Sequence, residues 1–347
     1  MGLARMLGPW RRELQALLPG IHGHQRKGIV DAVLCMVESG HCQLSRMACF
    51  MRGQVRVPSC ERRLQRLVAN ARLSVRQIAE GLARSILADP GALTLILDET
   101  PQANHLRAMK VCREMCMRAI PVLWHCYRPD APPMRMDRLI VELLHHTARL
   151  LPGGAVPTLL ADRGLAWPVV VDCCTKLGWH YVMRIQHHTR VLLEDGRSLQ
   201  AGDLVRKRGA HWFGTAQVFK KVNWRRVNLV AYWGPQHKEP WLLITDLPPN
   251  HARIPQYAKR MRVEQGFRDE KSHGLQWNQS RIRDPEHANR LLLLIALALR
   301  LLVVLGQRLL STGQNTFFER PGRRDLSVVQ LALRAIHHPT FPIPLRT

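Results

Sequence analysis

Acidic residues are scarce in this chain of 347 residues. Asp and Glu number 26 against 51 Lys and Arg, which leaves a formal net charge of +25. A surplus of that size creates a strongly positive potential and predicts a polyanionic partner. Nucleic acid is the expected one, because each phosphate that a basic side chain neutralises releases counterions. An acidic membrane surface is the alternative, but the basic residues are spread along the whole chain.

Other absences narrow the class of protein further. The nine cysteines include no paired C-x2-C spacing, so a zinc site is not indicated. Their odd number, and the lack of a charged-then-apolar segment at the start, predict reduced thiols in a cytoplasmic compartment. The longest apolar run, 291–306, is shorter than the roughly 20 residues that cross a bilayer, and Arg300 interrupts it. We therefore expect a core helix there and no membrane partner.

The first part of the chain, residues 1–90, is basic and has helical periodicity. Helices are expected at 29–38, 59–70 and 75–87, and Ser59 is a candidate N-cap of the second. Short basic helices of this kind suit contact with a DNA backbone, and they equally suit a cap on the next domain. Both interpretations stay open.

An apolar run followed by an aspartate occurs twice. Residues 92–97 precede Asp98, and residues 157–161 precede Asp162. A buried strand that ends in a carboxylate places it at the edge of a sheet, where sites of α/β proteins form. Two more apolar segments, 109–117 and 118–127, are expected to be strands, and Pro121 predicts an edge position for the second.

A third acid lies in the segment 257–271, which has the pattern of a helix. Its residues Tyr257, Arg260, Glu264 and Lys271 fall within about 60° on one helical face. A carboxylate can hold a divalent cation, while Arg and Lys hold phosphate oxygens. One face would then carry both halves of a metal-dependent phosphoryl-transfer site. The alternative for this segment alone is a solvated surface helix.

The spacing Tyr-x2-Arg-x3-Glu-x6-Lys resembles the signature of the IS4-family DDE transposases, enzymes of insertion sequences. Further matching blocks lie at 97–100, 118–124, 161–164, 245–247 and 267–272. The resemblance covers roughly residues 92–310. It departs from the family mildly at Glu270, where an apolar residue is common.

The resemblance implies an α/β fold with a ribonuclease-H-like mixed sheet flanked by helices. The expected segments are a helical DNA-binding or cap region at 1–90, the first part of the core at 91–188, an inserted β subdomain at 189–250, the last part of the core at 251–310, and a basic tail at 311–347. In the family the insertion helps to hold the DNA end. Its tryptophans here are Trp212, Trp224, Trp233 and Trp241. Core packing is the commoner role for each of them.

The resemblance also implies a function and its residues. The expected catalytic and metal-binding residues are Asp98, Asp162 and Glu264, which would hold two Mg²⁺ ions, replaceable by Mn²⁺. The expected DNA-binding residues are Tyr257, Arg260, Lys271 and Arg184. A surface salt bridge is the alternative role of the last one.

The expected partners are double-stranded DNA, as terminal inverted repeats and as target, and a second copy of the chain that synapses two ends. The expected location is a bacterial cytoplasm, in association with the nucleoid. A nuclease or resolvase of the same fold, or a catalytically silent DNA-binding relic, remains the alternative function.

Overall fold

A computed structural model describes residues 2–89, 91–320 and 322–341. It has one ten-stranded, mostly antiparallel sheet flanked by helices. This arrangement confirms the mixed α/β class and is consistent with the ribonuclease-H-like fold that the order of motifs predicts.

Five strands form the half of the sheet that carries the aspartates. They are β1 (Thr94–Gln102), β2 (Leu106–Met115), β3 (Arg118–Tyr127), β4 (Thr158–Ala161) and β5 (His180–Arg184). Their spatial order is β3-β2-β1-β4-β5. The first three strands pair antiparallel, and β4 pairs parallel with both β1 and β5. β3 is an edge strand, as Pro121 predicts, and the register with β2 shifts beside that proline, which has no N–H to donate.

The remaining strands come from the expected insertion. They are β6 (Arg190–Leu193), β7 (Ser198–Gln200), β8 (His211–Val218), β9 (Arg225–Tyr232) and β10 (Trp241–Thr245). β10 pairs antiparallel with β5, and the others follow outward in the order β9-β8-β6-β7. The inserted strands therefore extend the core sheet and do not form a separate layer.

The helices cover the chain before, between and after the strands. They are α1 (Gly2–Ala16), α2 (Gly23–Ser39), α3 (Leu44–Ala48), α4 (Val57–Ala69), α5 (Val75–Leu87), α6 (Met136–Leu150), α7 (Pro168–Leu177), α8 (Arg253–Ala258), α9 (Arg262–Lys271), α10 (Pro285–Ser311) and α11 (Val328–His337). The expectation that Ser59 caps α4 is wrong. The helix begins earlier, with Pro58 in its first turn, where the missing N–H costs nothing.

Helix α10 holds the N-terminal region onto the core. It is longer than the apolar run at 291–306 suggests, and Asp284 caps its start by accepting from the His287 N–H at 2.8 Å. Among the described residues it is the one helix long and apolar enough to cross a membrane, but 89% of its most apolar window is buried within the protein. It packs against α2, α4, α5, α11 and β3. Burial of its leucines, worth about 1.5–3 kcal/mol each, makes it a core helix.

Candidate active site

The two aspartates lie side by side on neighbouring parallel strands. The expectation that Asp98 ends its strand is wrong, since β1 continues to Gln102 with Asp98 opposite Lys110 of β2. The parallel ladder with β4 is shorter, and Leu97 with Ala161 is its last pair. Asp98 and Asp162 each follow that last pair. The carboxylates therefore meet where the ladder ends, even though one strand runs on.

The segment that carries the third acid is broken in the middle. The expected single helix is instead α8, a 3₁₀ turn at Lys259–Met261 and then α9, whose first turn contains Glu264. Arg260 lies within the 3₁₀ turn. The turn presents this arginine to the aspartates while Glu264 stays within reach of the same side chain.

One guanidinium joins all three acids. Arg260 Nη2 donates to Asp98 Oδ2 at 2.7 Å and to Asp162 Oδ2 at 3.4 Å, and its Nη1 donates to Glu264 Oε1 at 2.8 Å. Its Nε is buried and has no hydrogen-bond partner in the part of the chain that the structure describes. Three carboxylates that are distant along the chain therefore converge on one group, as the resemblance to the transposases implies.

Burial and the neighbouring charges shift the pKa values of these groups. Desolvation raises the pKa of Asp98 to about 6; the charge of Arg260 opposes that shift and the neighbouring Asp162 adds to it. Burial acts to lower the pKa of Arg260, but the surrounding acids, Asp98 foremost, outweigh it and leave that pKa raised. One guanidinium faces three carboxylates, so the cluster keeps a surplus of negative charge that attracts cations.

The donor chemistry fits a divalent cation. Carboxylate oxygens are the ligands that Mg²⁺ and Mn²⁺ prefer, and those of Asp98 and Asp162 already share one positively charged nitrogen. Across the described ranges, however, no three of His, Cys, Asp and Glu are arranged to hold a single ion. Arg260 lies between Glu264 and the two aspartates, so the three carboxylates do not surround one common position for an ion.

A family model matches the part of the chain that carries two of the three acids. Residues 136–301 match the family model of the transposase DDE domain. The match includes Asp162 and Glu264 and begins after Asp98. It supports a DDE transposase, and metal-dependent phosphoryl transfer on DNA is the chemistry that such a domain implies. No curated protein matches the chain.

Lys271 lies near Asp98 and Glu270, and it has no counter-ion within ion-pair distance among the residues that the structure describes. Its Nζ is 5.7 Å from the centroid of the Phe267 ring, and no described carboxylate lies within ion-pair distance of it. Burial and the nearby Lys110 lower the pKa of Lys271 to about 8, against the opposing charges of Glu270 and Asp98. An unpaired, half-buried ammonium is suited to receive an anion.

Sequence reasoning missed a sealed ion pair beside the site. In the sequence Glu270 is only a departure from the family, but this carboxylate is buried and pairs with the buried Lys110. The Lys110 ammonium also lies 5.1 Å from the Phe267 ring centroid and 4.8 Å from that of Trp277. β2 therefore supplies the counter-charge for the acid that departs from the family pattern. No local signal in the sequence joins the two residues.

Asp269 is another buried acid whose contacts the sequence does not predict. It accepts from Arg118 Nε at 2.9 Å and from the Ser327 hydroxyl at 2.7 Å. Ser327 is also the N-cap of α11, because its side chain accepts from the Gln330 N–H. Asp269 thus links α9 to the start of α11 and, through Arg118, to β3.

Tyr257 lies in the wall of the site. Its side chain is buried, burial raises its pKa to about 12, and its ring meets that of Trp241 edge-on at 5.1 Å. His237 stacks on Trp241 at 4.2 Å. Trp241, one of the four tryptophans of the segment 189–250, is therefore in ring contact with a residue of the signature. A direct contact of Tyr257 with DNA stays a prediction.

Arg184 ends β5, next to the strand that leads to Asp162. Its Nη2 pairs with Glu239 at 2.8 Å and donates to the carbonyl of Pro240 at 3.0 Å. The salt bridge that the sequence left as an alternative is therefore present. Contact with phosphate stays a prediction for this residue.

Proposed function

We propose that this chain is an insertion-sequence transposase of the IS4 type, which cuts the ends of its element and joins them to target DNA. The observation that carries the proposal is the convergence of Asp98, Asp162 and Glu264 on Arg260. The match to the transposase DDE domain and the net charge of +25 point the same way.

The proposed roles follow from the charges of the side chains. Asp98, Asp162 and Glu264 would hold two Mg²⁺ ions, or Mn²⁺ in their place. Two such ions stabilise the attacking and leaving oxygens of an in-line displacement at phosphorus. For Glu264 to join the aspartates, Arg260 has to release them.

A phosphate near the element's end gives Arg260 that alternative partner. Its unpartnered buried Nε leaves it able to donate further, and guanidinium binds phosphate in bidentate fashion. Lys271 would hold a second oxygen, since it has no counter-ion of its own in the described chain. Binding the DNA end would thus both anchor the substrate and free the acids.

The proposed reaction has four phosphoryl-transfer steps. Water attacks the phosphodiester at the element's end and leaves a 3′-hydroxyl. That hydroxyl attacks the opposite strand to form a hairpin, which a second water reopens. The freed 3′-hydroxyl then attacks target DNA. Two protomers would hold two ends together, in a bacterial cytoplasm where the nucleoid is the substrate.

The test is an assay on DNA that carries the element's own terminal inverted repeats. We expect nicking that requires Mg²⁺ or Mn²⁺, followed by joining of precut ends to a target plasmid. Nicking without joining would favour a nuclease or resolvase of the same fold. Binding without nicking in either metal would identify a catalytically silent relic.

A further inference from the structure

Two arginines lie at the same sheet edge as the aspartates. Arg163 directly follows Asp162, and Arg184 ends the neighbouring strand β5. The parallel register of β4 and β5 reaches Ala161 opposite Met183, so the next positions along the two strands are Asp162 and Arg184. Both guanidinium groups therefore originate beside the acids, on the side toward the inserted strands.

One carboxylate lies between these guanidinium groups. Arg163 Nη1 contacts Glu239 Oε1 and Oε2, both at 3.1 Å, and Arg184 Nη2 contacts Oε1 at 2.8 Å. Glu239 belongs to the loop that joins β9 to β10, so the inserted region supplies it. Two guanidinium groups facing one carboxylate leave a surplus of positive charge. A phosphodiester carries the same single negative charge as the carboxylate and could take its place between them.

The pairing is open to solvent. Arg163 and Glu239 are each about half exposed, while Arg184 is mostly buried. Desolvation acts to raise the pKa of Glu239, but the charges and hydrogen bonds of Arg184 and Arg163 outweigh it and leave that pKa lowered. Ion pairs this exposed contribute little to stability, so a competing anion can displace the carboxylate at low cost.

We propose that Arg163 and Arg184 form a phosphodiester clamp beside the acids, and that Glu239 occupies this clamp as a phosphate substitute until DNA displaces it. The inference rests on the proposed function and assigns to Arg163 a binding role that the signature helix does not predict. It also assigns to the β9–β10 loop the role of an internal competitor for DNA.

The experiment measures binding of a short fluorescein-labelled DNA duplex in EDTA, so that metal-dependent chemistry is silent. We expect Glu239→Gln to bind the duplex about tenfold more tightly than wild type, because the competitor no longer carries charge. The dependence of affinity on salt should steepen by about 0.9 for each phosphate newly contacted.

Glu194→Gln is the matched control. Glu194, in the turn after β6, pairs with Arg226 of β9 at 2.8 Å, and its replacement changes the net charge by the same amount. We expect a much smaller gain in affinity for it and no change in salt dependence. Equal gains for Glu194→Gln and Glu239→Gln would overturn the inference, since only the overall charge would then matter.

Arg163→Gln completes the experiment, because Arg163 is exposed enough to be replaced without loss of folding. When it is combined with Glu239→Gln, Arg163→Gln should abolish the gain in affinity for the duplex. As a single substitution it should weaken binding of the duplex much less. An undiminished gain in the double variant would exclude Arg163 from the clamp. Absence of any duplex binding by folded wild type would instead refute the proposed function, which separates the two failures.

Discussion

Two groups of charged side chains lie next to each other in the fold and differ in their exposure to solvent. Lys110 and Glu270 are 0% and 1% exposed, and each has the other as its counter-ion. Asp162 and Glu264, which share Arg260 with Asp98, are 33% and 44% exposed. Asp98 and Lys110 are cross-strand partners, so the two groups meet on one pair of strands.

The difference shows how a structural ion pair is told from a site. The sealed pair is balanced one to one, and removing either member would leave a buried, uncompensated charge. The open cluster has three carboxylates against one guanidinium, and two of the carboxylates, Asp162 and Glu264, are partly exposed to solvent, so its excess charge can be met by a ligand.

Asp162→Asn and Glu264→Gln should abolish metal-dependent nicking. We expect a loss of at least about 10³-fold, because each carboxylate would position ions whose stabilisation of the transition state is several kcal/mol. DNA affinity and the melting temperature should change little, since both side chains are partly exposed. A gel assay of strand nicking, beside a binding assay, checks both statements. Nicking at the wild-type rate by either variant would remove that acid from the site.

Glu270→Ala should damage the fold and not the chemistry. Breaking a buried pair leaves Lys110 uncompensated and should cost about 3–5 kcal/mol of the free energy of unfolding. Urea denaturation followed by circular dichroism measures it. The double variant Lys110→Met with Glu270→Met should recover most of the loss. If Glu270→Ala were as stable as the surface variant Glu194→Ala, the pair would not be sealed.

Arg260→Gln should strengthen metal binding in the absence of DNA. With the competing guanidinium removed, we expect Mn²⁺ affinity to rise by about tenfold, as measured by electron paramagnetic resonance of the free ion. The same variant should bind DNA ends more weakly. Arg260→Lys, which keeps the charge, is the control and should change Mn²⁺ affinity less. Unchanged or weaker Mn²⁺ binding would show that Arg260 does not compete for the acids.

The smallest effect concerns pH. The pKa of Lys271 is lowered to about 8, so the ammonium is present at pH 7 and largely lost by about pH 9.5. DNA affinity without metal should therefore fall a few-fold across that range. Lys271→Arg, whose guanidinium stays charged, should remove the decrease. A decrease of the same size in both proteins would mean that another group titrates.

The sequence could predict the position of the acids because the signals are local. An apolar run followed by an aspartate marks Asp98 and Asp162, and helical spacing aligns Arg260 with Glu264. The order of strands and helices was sufficient to predict the sheet of the core. The catalytic and metal-binding roles remain predictions.

What could not be predicted depends on contacts between distant residues. Whether Asp98 ends its strand is decided by β2, which continues the pairing past it. Glu270 is buried because Lys110, 160 residues earlier in the chain, neutralises it. The position of Glu239 between two arginines depends on β10 lying next to β5. None of these pairings can be predicted from the spacing of the residues along the chain.

The most direct test of a metal site shared by the three acids is local cleavage of the backbone by iron bound there. Fe²⁺ in place of Mg²⁺, with ascorbate and peroxide, generates radicals that cut the backbone close to the ion. We predict cuts near Asp98, Asp162 and Glu264 in one protein, and their joint loss in Asp162→Asn. Cuts confined to other parts of the chain, or a pattern unchanged in Asp162→Asn, would contradict a shared metal site.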